Sequence, residues 1–163
     1  MSVDMFIKIG DIVGEAKDSK HGGEIDVLAW SWGMSQSGTM HVGGGGGSGK
    51  VNMQDLSVTK YIDKSSPVLM QMCSDGSQMP LAKLTIRKAG GKNPLEYLII
   101  SMKDVIITAC STGGSSGEDR LTENVTLNFA KVKFEYTAQK QDGSADGGAI
   151  PMIWDIPGNT PAF

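Results

Sequence analysis

Leu95-Glu96-Tyr97-Leu98-Ile99-Ile100-Ser101-Met102-Lys103-Asp104-Val105-Ile106-Ile107-Thr108 is a long apolar run rich in β-branched and aromatic residues, the composition of a strand. The loop Ser111-Thr112-Gly113-Gly114-Ser115-Ser116-Gly117 follows it. The return run Leu121-Thr122-Glu123-Asn124-Val125-Thr126-Leu127-Asn128-Phe129 alternates apolar and polar residues with period two. Together they predict a long β-hairpin spanning 95–136. On the return arm the apolar phase is odd through Phe129 and even at Val132, Phe134 and Tyr136. One residue of slippage, as a bulge or a crossing between sheets, is therefore expected near Ala130-Lys131. On the first arm Leu95, Tyr97 and Ile99 are apolar on one face and Leu98 and Ile100 on the other. Both faces are expected to be covered, the second by a helix, another sheet or a neighbouring subunit.

Outward from the hairpin, Val3, Met5, Ile7 and Ile9 alternate to give a first strand ending at Gly10. Ile25 to Gly33 reads as a second strand, with Leu28, Trp30 and Trp32 on one face and the small Ala29, Ser31 and Gly33 on the other. After Met34 to Val42 comes the loop Gly43-Gly44-Gly45-Gly46-Gly47-Ser48-Gly49, and Lys50 to Tyr61 reads as another strand. Ser66 as N-cap, Pro67 at the first helical position and Gly76 as the stop bound one helix, with Val68, Leu69, Met72 and Cys73 as its apolar stripe. Ala82, Leu84 and Ile86 alternate with Lys83, Thr85 and Arg87. A turn-rich tail begins at about residue 141, and Ile150 to Ile156, interrupted by Pro151, suits an edge strand. The pattern predicts a mainly β chain: a two-sheet sandwich or barrel-like domain over 1–163 with one flanking short α-helix.

Composition narrows the function classes. A net charge of −3 argues against a nucleic-acid or anionic-membrane surface. No apolar run approaches the length of a membrane span, and Met1-Ser2-Val3-Asp4 opens nothing that reads as a signal peptide. Cys73 and Cys110 sit among apolar neighbours and read as free buried thiols in a reducing compartment.

Motifs that suggest chemistry fail in detail. Gly44 to Lys50 matches the start of a phosphate-binding loop, but Val51 stands where Ser or Thr would hold magnesium, and a strand follows where a helix is needed. Ser57-Val58-Thr59-Lys60 has the S-x-x-K spacing, yet on a strand it puts Ser57 and Lys60 on opposite faces. His21 and His41 lack ligand-spaced neighbours and read as surface histidines. Glu118-Asp119, Asp142 and Asp146 read as solvated loop acids, and Asn124-Val125-Thr126 as an unused glycosylation sequon. No catalytic residue, cofactor or metal is expected.

Phe6-Ile7-Lys8-Ile9-Gly10-Asp11 with Gly14-Glu15, the stretch Glu24 to Gly38, Asp55 to Leu69, Lys83 to Gly91 and Gly117 to Phe129 resemble Hcp, the haemolysin-coregulated proteins of bacterial type VI secretion. The likeness runs in order from about residue 3 to about 140. It implies a β-barrel-like fold with a flanking helix and a homohexameric ring. Such rings stack into a tube inside a contractile sheath, tipped by a spike, and carry small effectors in the lumen. It further implies synthesis in the bacterial cytoplasm and export to the medium or a target cell without a signal peptide.

Within that role, three expectations attach to residues. Gly43 to Gly49 orders against an adjacent subunit or ring. Ala29, Ser31 and Gly33 line the lumen, the alternative being close packing under another element. Leu95, Tyr97, Leu98, Ile99 and Ile100 form a subunit-interface strand. The rival reading is a monomeric small-ligand or carbohydrate-binding sandwich, for which Trp30 and Trp32 would supply an aromatic platform.

Overall fold

In the computed structural model, which describes residues 3–38, 40–42, 50–88 and 91–163, the alternating N-terminal run forms β1 (Val3–Ile9). It ends at Gly10, whose φ of +52° is left-handed and open to a residue without Cβ. The strand expected over 25–33 is broken into β2 (Ile25–Asp26) and β3 (Ala29–Ser31), followed by β4 (Met34–Ser35). A 3-10 turn covers Met40–Val42. The strand expected over 50–61 is likewise split, into β5 (Asn52–Met53) and β6 (Leu56–Tyr61). Gln54 and Asp55 leave the ladder between them for other partners: the Gln54 N–H donates to the Gly33 carbonyl, and the Asp55 carboxylate accepts from Thr108 and Asn128. The remaining elements are α1 (Ser66–Asp75), β7 (Gln78–Lys88), β8 (Leu98–Thr112), β9 (Thr122–Tyr136) and β10 (Ile150–Asp155).

Eight of these strands make one sheet in the order β2-β1-β7-β8-β9-β6-β3, with β10 also paired to β9, while β4 and β5 pair separately. Every ladder is antiparallel. The large sheet curls until its ends meet. The Val27 N–H donates to the Met5 carbonyl at 2.9 Å and the next residue, Leu28, donates to the Thr59 carbonyl at 2.8 Å. Two consecutive residues thus join the β1 side to the β6 side, which removes exposed edges there. Ile7, Ile25, Leu56, Leu84, Ile100 and Leu127 fill the interior. The barrel-like, mainly β architecture with one helix is the class the sequence predicts.

The phase slip on the return arm is real. Buried positions on β9 are 123, 125, 127 and 129, then 132. Directly across, the apolar buried positions of β8 are 98, 100 and 102, then 105 and 107, with Ser101 buried on the opposite face. The pairing register is unchanged between Lys103↔Lys131 and Val105↔Phe129, so both strands change face together without a one-sided insertion. Asp104, with φ +55°, takes up the corner. Ahead of the corner β9 pairs with β6, and beyond it with β10. The true register shift lies elsewhere, between Ile107 and Ala109, where the Thr108 hydroxyl donates to Asp55 at 2.9 Å with the Thr126 carbonyl 3.2 Å away.

Helix α1 stops as expected at Gly76, left-handed at φ +71°, whose N–H returns to the Met72 carbonyl. Its cap is Ser65 instead of Ser66, one residue earlier than expected, and Ser66 turns inward. Leu69 and Met72 are buried against the sheet, whereas Val68 is 45% exposed and leaves the stripe. Removing the Leu69 side chain to Ala would cost about 2–5 kcal/mol by the usual cavity argument.

Candidate assembly surfaces

The outer face of β1 and β7 is covered by the chain's own 11–24 segment, held by an ionic and aromatic stack. Phe6 and His21 lie parallel with centroids 4.7 Å apart, and the Arg87 guanidinium sits 5.1 Å from the same Phe6 ring. Arg87 grips Asp18 through both terminal nitrogens and reaches Asp4 at 3.4 Å. That grip holds the Asp18 carboxyl down at about 2. His21 is buried, which corrects the surface reading, and its Nδ1 and Nε2 meet Glu24 at 2.7 Å and Glu96 at 2.6 Å. Burial opposes the imidazolium, but the hydrogen bonds to Glu96 and Glu24 outweigh it and raise its pKa above the ordinary 6.5. His41 is exposed in the 3-10 turn.

Inside the barrel, Lys60 is fully buried on the inner face of β6. Its Nζ pairs with Glu123 on the facing rung of β9, and lies 3.1 Å from both Asp63 and Ser66. Ser66 donates to Glu123 and accepts from the Asp63 N–H. Every member of the group is bonded, the condition under which buried charge is tolerated. Ser57, on the opposite face, meets Thr126, so the S-x-x-K spacing brings no base to the serine. Lys50 leads into β5 and not into a helix, and the glycines at 43–49 lie outside the described residues. No group of three His, Cys, Asp or Glu side chains suited to a metal occurs among the described residues.

The proposed interface strand divides in two. Leu98 and Ile100 point into the barrel and are buried within their own chain. Leu95, Tyr97 and Ile99 are half-buried, Tyr97 still packing against the core, and Leu95 to Tyr97 precede β8 as an irregular lead-in. Part of the cover expected there is intramolecular, through the Glu96 bond to His21. Ala29 and Ser31 are exposed, while Gly33 is half-buried with its Cβ direction facing the Gln54 side chain at 3.3 Å. Trp32 stacks on Phe134 at 6.1 Å and donates its indole N–H to the Gln54 carbonyl, and Trp30 is half-buried against the core, so both indoles of the expected platform pack within the chain.

Sequence reasoning missed one surface. β10 lies along β9 with Ile150 opposite Tyr136, and both stand well exposed, at 66% and 45%. Apolar side chains paired on one rung of an outer strand are what a partner covers. Pro151 withdraws one N–H from that strand.

The molecule is thus a barrel-like β-sheet braced internally by the Lys60–Glu123 pair, with the apolar Ile150–Tyr136 rung on its surface. A family model described as type VI secretion system effector, Hcp, matches residues 6–136, and the chain belongs to that family. It is 67% identical over 162 residues to Protein hcp1 of Pseudomonas aeruginosa, covering 99% of this chain and 100% of that protein. The crystal structure of Hcp1 from Salmonella typhimurium shares the fold with a TM-score of 0.82 at 41% identity, covering 99% of this chain and 100% of that one. A solved type six secretion system protein has a TM-score of 0.90 at 31% identity, covering 98% and 99%. No described helix is long and apolar enough to cross a membrane.

Proposed function

We propose that the chain is the tube subunit of a type VI secretion system: six copies close into a ring, rings stack into an inner tube driven by a contractile sheath behind a spike, and the tube carries small effectors in its lumen. The end-to-end likeness to type VI proteins, in place of a shared local motif, carries this reading. The subunit is made in the cytoplasm and leaves through the machine it helps to build. Its work is structural and not catalytic.

The ring contact in this reading uses Leu95, Tyr97 and Ile99 together with the Ile150–Tyr136 rung, since Leu98 and Ile100 are committed to the chain's own core. Repeated head-to-tail contacts that close by rotation suffice for a ring. The segment Gly43 to Gly49 mediates stacking. The small face of Ala29, Ser31 and Gly33 lines the lumen, a placement supported by the exposure of Ala29 and Ser31.

Native mass of the purified protein, with negative-stain images of the same peak, tests the reading. A six-subunit ring with an open centre is expected, and a stable monomer at high concentration would overturn it. Shortening 43–49 should leave rings intact and stop tube growth. Ser31→Gln should abolish cargo retention while rings persist.

A further inference from the structure

The chain contains two cysteines, so only one intramolecular pairing exists. Cys73 lies on α1 one residue past the buried Met72 and four past the buried Leu69, which places it on the side of the helix that faces the sheet. Cys110 lies on β8, which packs directly under that helix. The register shift between Ile107 and Ala109 re-aims it. Before the shift the odd positions Val105 and Ile107 are buried and Thr108 is exposed. After it Ala109 and Ser111 are exposed and the even position, Cys110, turns inward against the core. The Cys73 side chain is a neighbour of Cys110 across the α1–β8 contact, both packed against the same core. Both are free and only partly buried.

We propose that Cys73 and Cys110 form a disulfide that clasps α1 to β8 when the protein meets an oxidising low-molecular-weight disulfide such as oxidised glutathione. The Cys73 thiolate attacks one sulfur of the reagent, forming a mixed disulfide and expelling one thiolate, which takes up a proton. Cys110 then loses its proton and attacks the Cys73 sulfur, expelling the second thiol. The protein gives up two hydrogens and two electrons, and one reagent disulfide is reduced to two thiols. Burial, with Cys73 alongside, raises the Cys110 pKa to about 11, so its thiolate is scarce near neutrality. Ring closure, which needs the Cys110 thiolate, accelerates as pH rises.

The test is intact mass and peptide mapping of the native full chain after incubation with oxidised glutathione at neutral and alkaline pH. A mass lower by two hydrogens, a linked pair of peptides containing Cys73 and Cys110, and a thermal midpoint raised by about 5–15 °C are expected, all reversed by dithiothreitol. Cys73→Ser should show none of these changes. Three results would overturn the proposal: two free thiols after native incubation while a urea-unfolded sample oxidises, glutathione left on one cysteine without closure, or a disulfide joining two chains.

Discussion

Lys60 and Glu123 face each other on one rung of the β6–β9 ladder, both inside the barrel, and the Ser66 hydroxyl bonds to the two of them. Glu123→Leu leaves a buried ammonium with Asp63 and Ser66 as its remaining partners, and should cost about 3–5 kcal/mol of unfolding free energy. The double variant Lys60→Met/Glu123→Leu removes both charges of the pair while Asp63 keeps its bonds from Ser65, and should recover part of that loss. Urea denaturation of the two variants beside the parent measures the difference, and a double variant no better than the single one would show that the pair is not the source of the penalty.

Asp104 holds φ +55° where β8 turns its face. A β-branched residue there meets steric conflict that glycine and asparagine avoid. Asp104→Val should lower stability by about 1–2 kcal/mol, whereas Asp104→Gly and Asp104→Asn should stay close to the parent in a chemical melt.

Gly14 has its Cβ direction 2.4 Å from the Glu24 carbonyl oxygen, a backbone atom that cannot swing aside. Its own N–H is bonded to the Gly23 carbonyl. Gly14→Ala should therefore loosen the 11–24 segment and release His21 and Asp18 from β1 and β7. Faster amide exchange at Gly23 and Glu24 is expected, with the β8–β9 ladder unaffected.

The same segment sets two opposite pH limits. His21 has a folded-state pKa above 6.5, so its contribution is complete below pH 6.5 and is lost as pH rises through the folded-state value. Asp18 has its pKa lowered to about 2, so its contribution is present above the ordinary 3.8 and is lost as pH falls toward 2. Thermal melts across pH should show the parent losing its advantage over His21→Gln on the alkaline side, and its advantage over Asp18→Asn on the acid side.

Where the fold was legible, alternation did the work. β1, β7 and the hairpin follow directly from Ile7 and Ile9, from Leu84 and Ile86, and from the two arms around Gly113. The phase slip at Ala130 was visible as a change of parity, although its cause, a paired corner at Asp104, needs the partner strand to be known. The ionic braces were harder to read because each joins residues distant in sequence, as Arg87 does with Asp18. A signal existed for one of them. Lys60 continues the inward phase of Leu56 and Val58, and Glu123 that of Val125 and Leu127, so each charge occupies an apolar position. Two such exceptions of opposite sign are a pairing cue. The exposed Ile150–Tyr136 rung left no comparable mark, since exposure depends on which strand lies outermost.

The closure of the barrel through Val27 and Leu28 also sets an order of events during synthesis. Val3 pairs with Lys88 and Ile9 with Ala82, so the first strand to leave the ribosome finds its main partner only after β7 has been made. The two-residue β2 is all that can pair with it in the interval. The hairpin of β8 and β9, neighbours in sequence, assembles later and faster. A nascent chain stalled before residue 78 therefore displays Met5, Ile7 and Ile9 on an open strand, and is the form most exposed to aggregation.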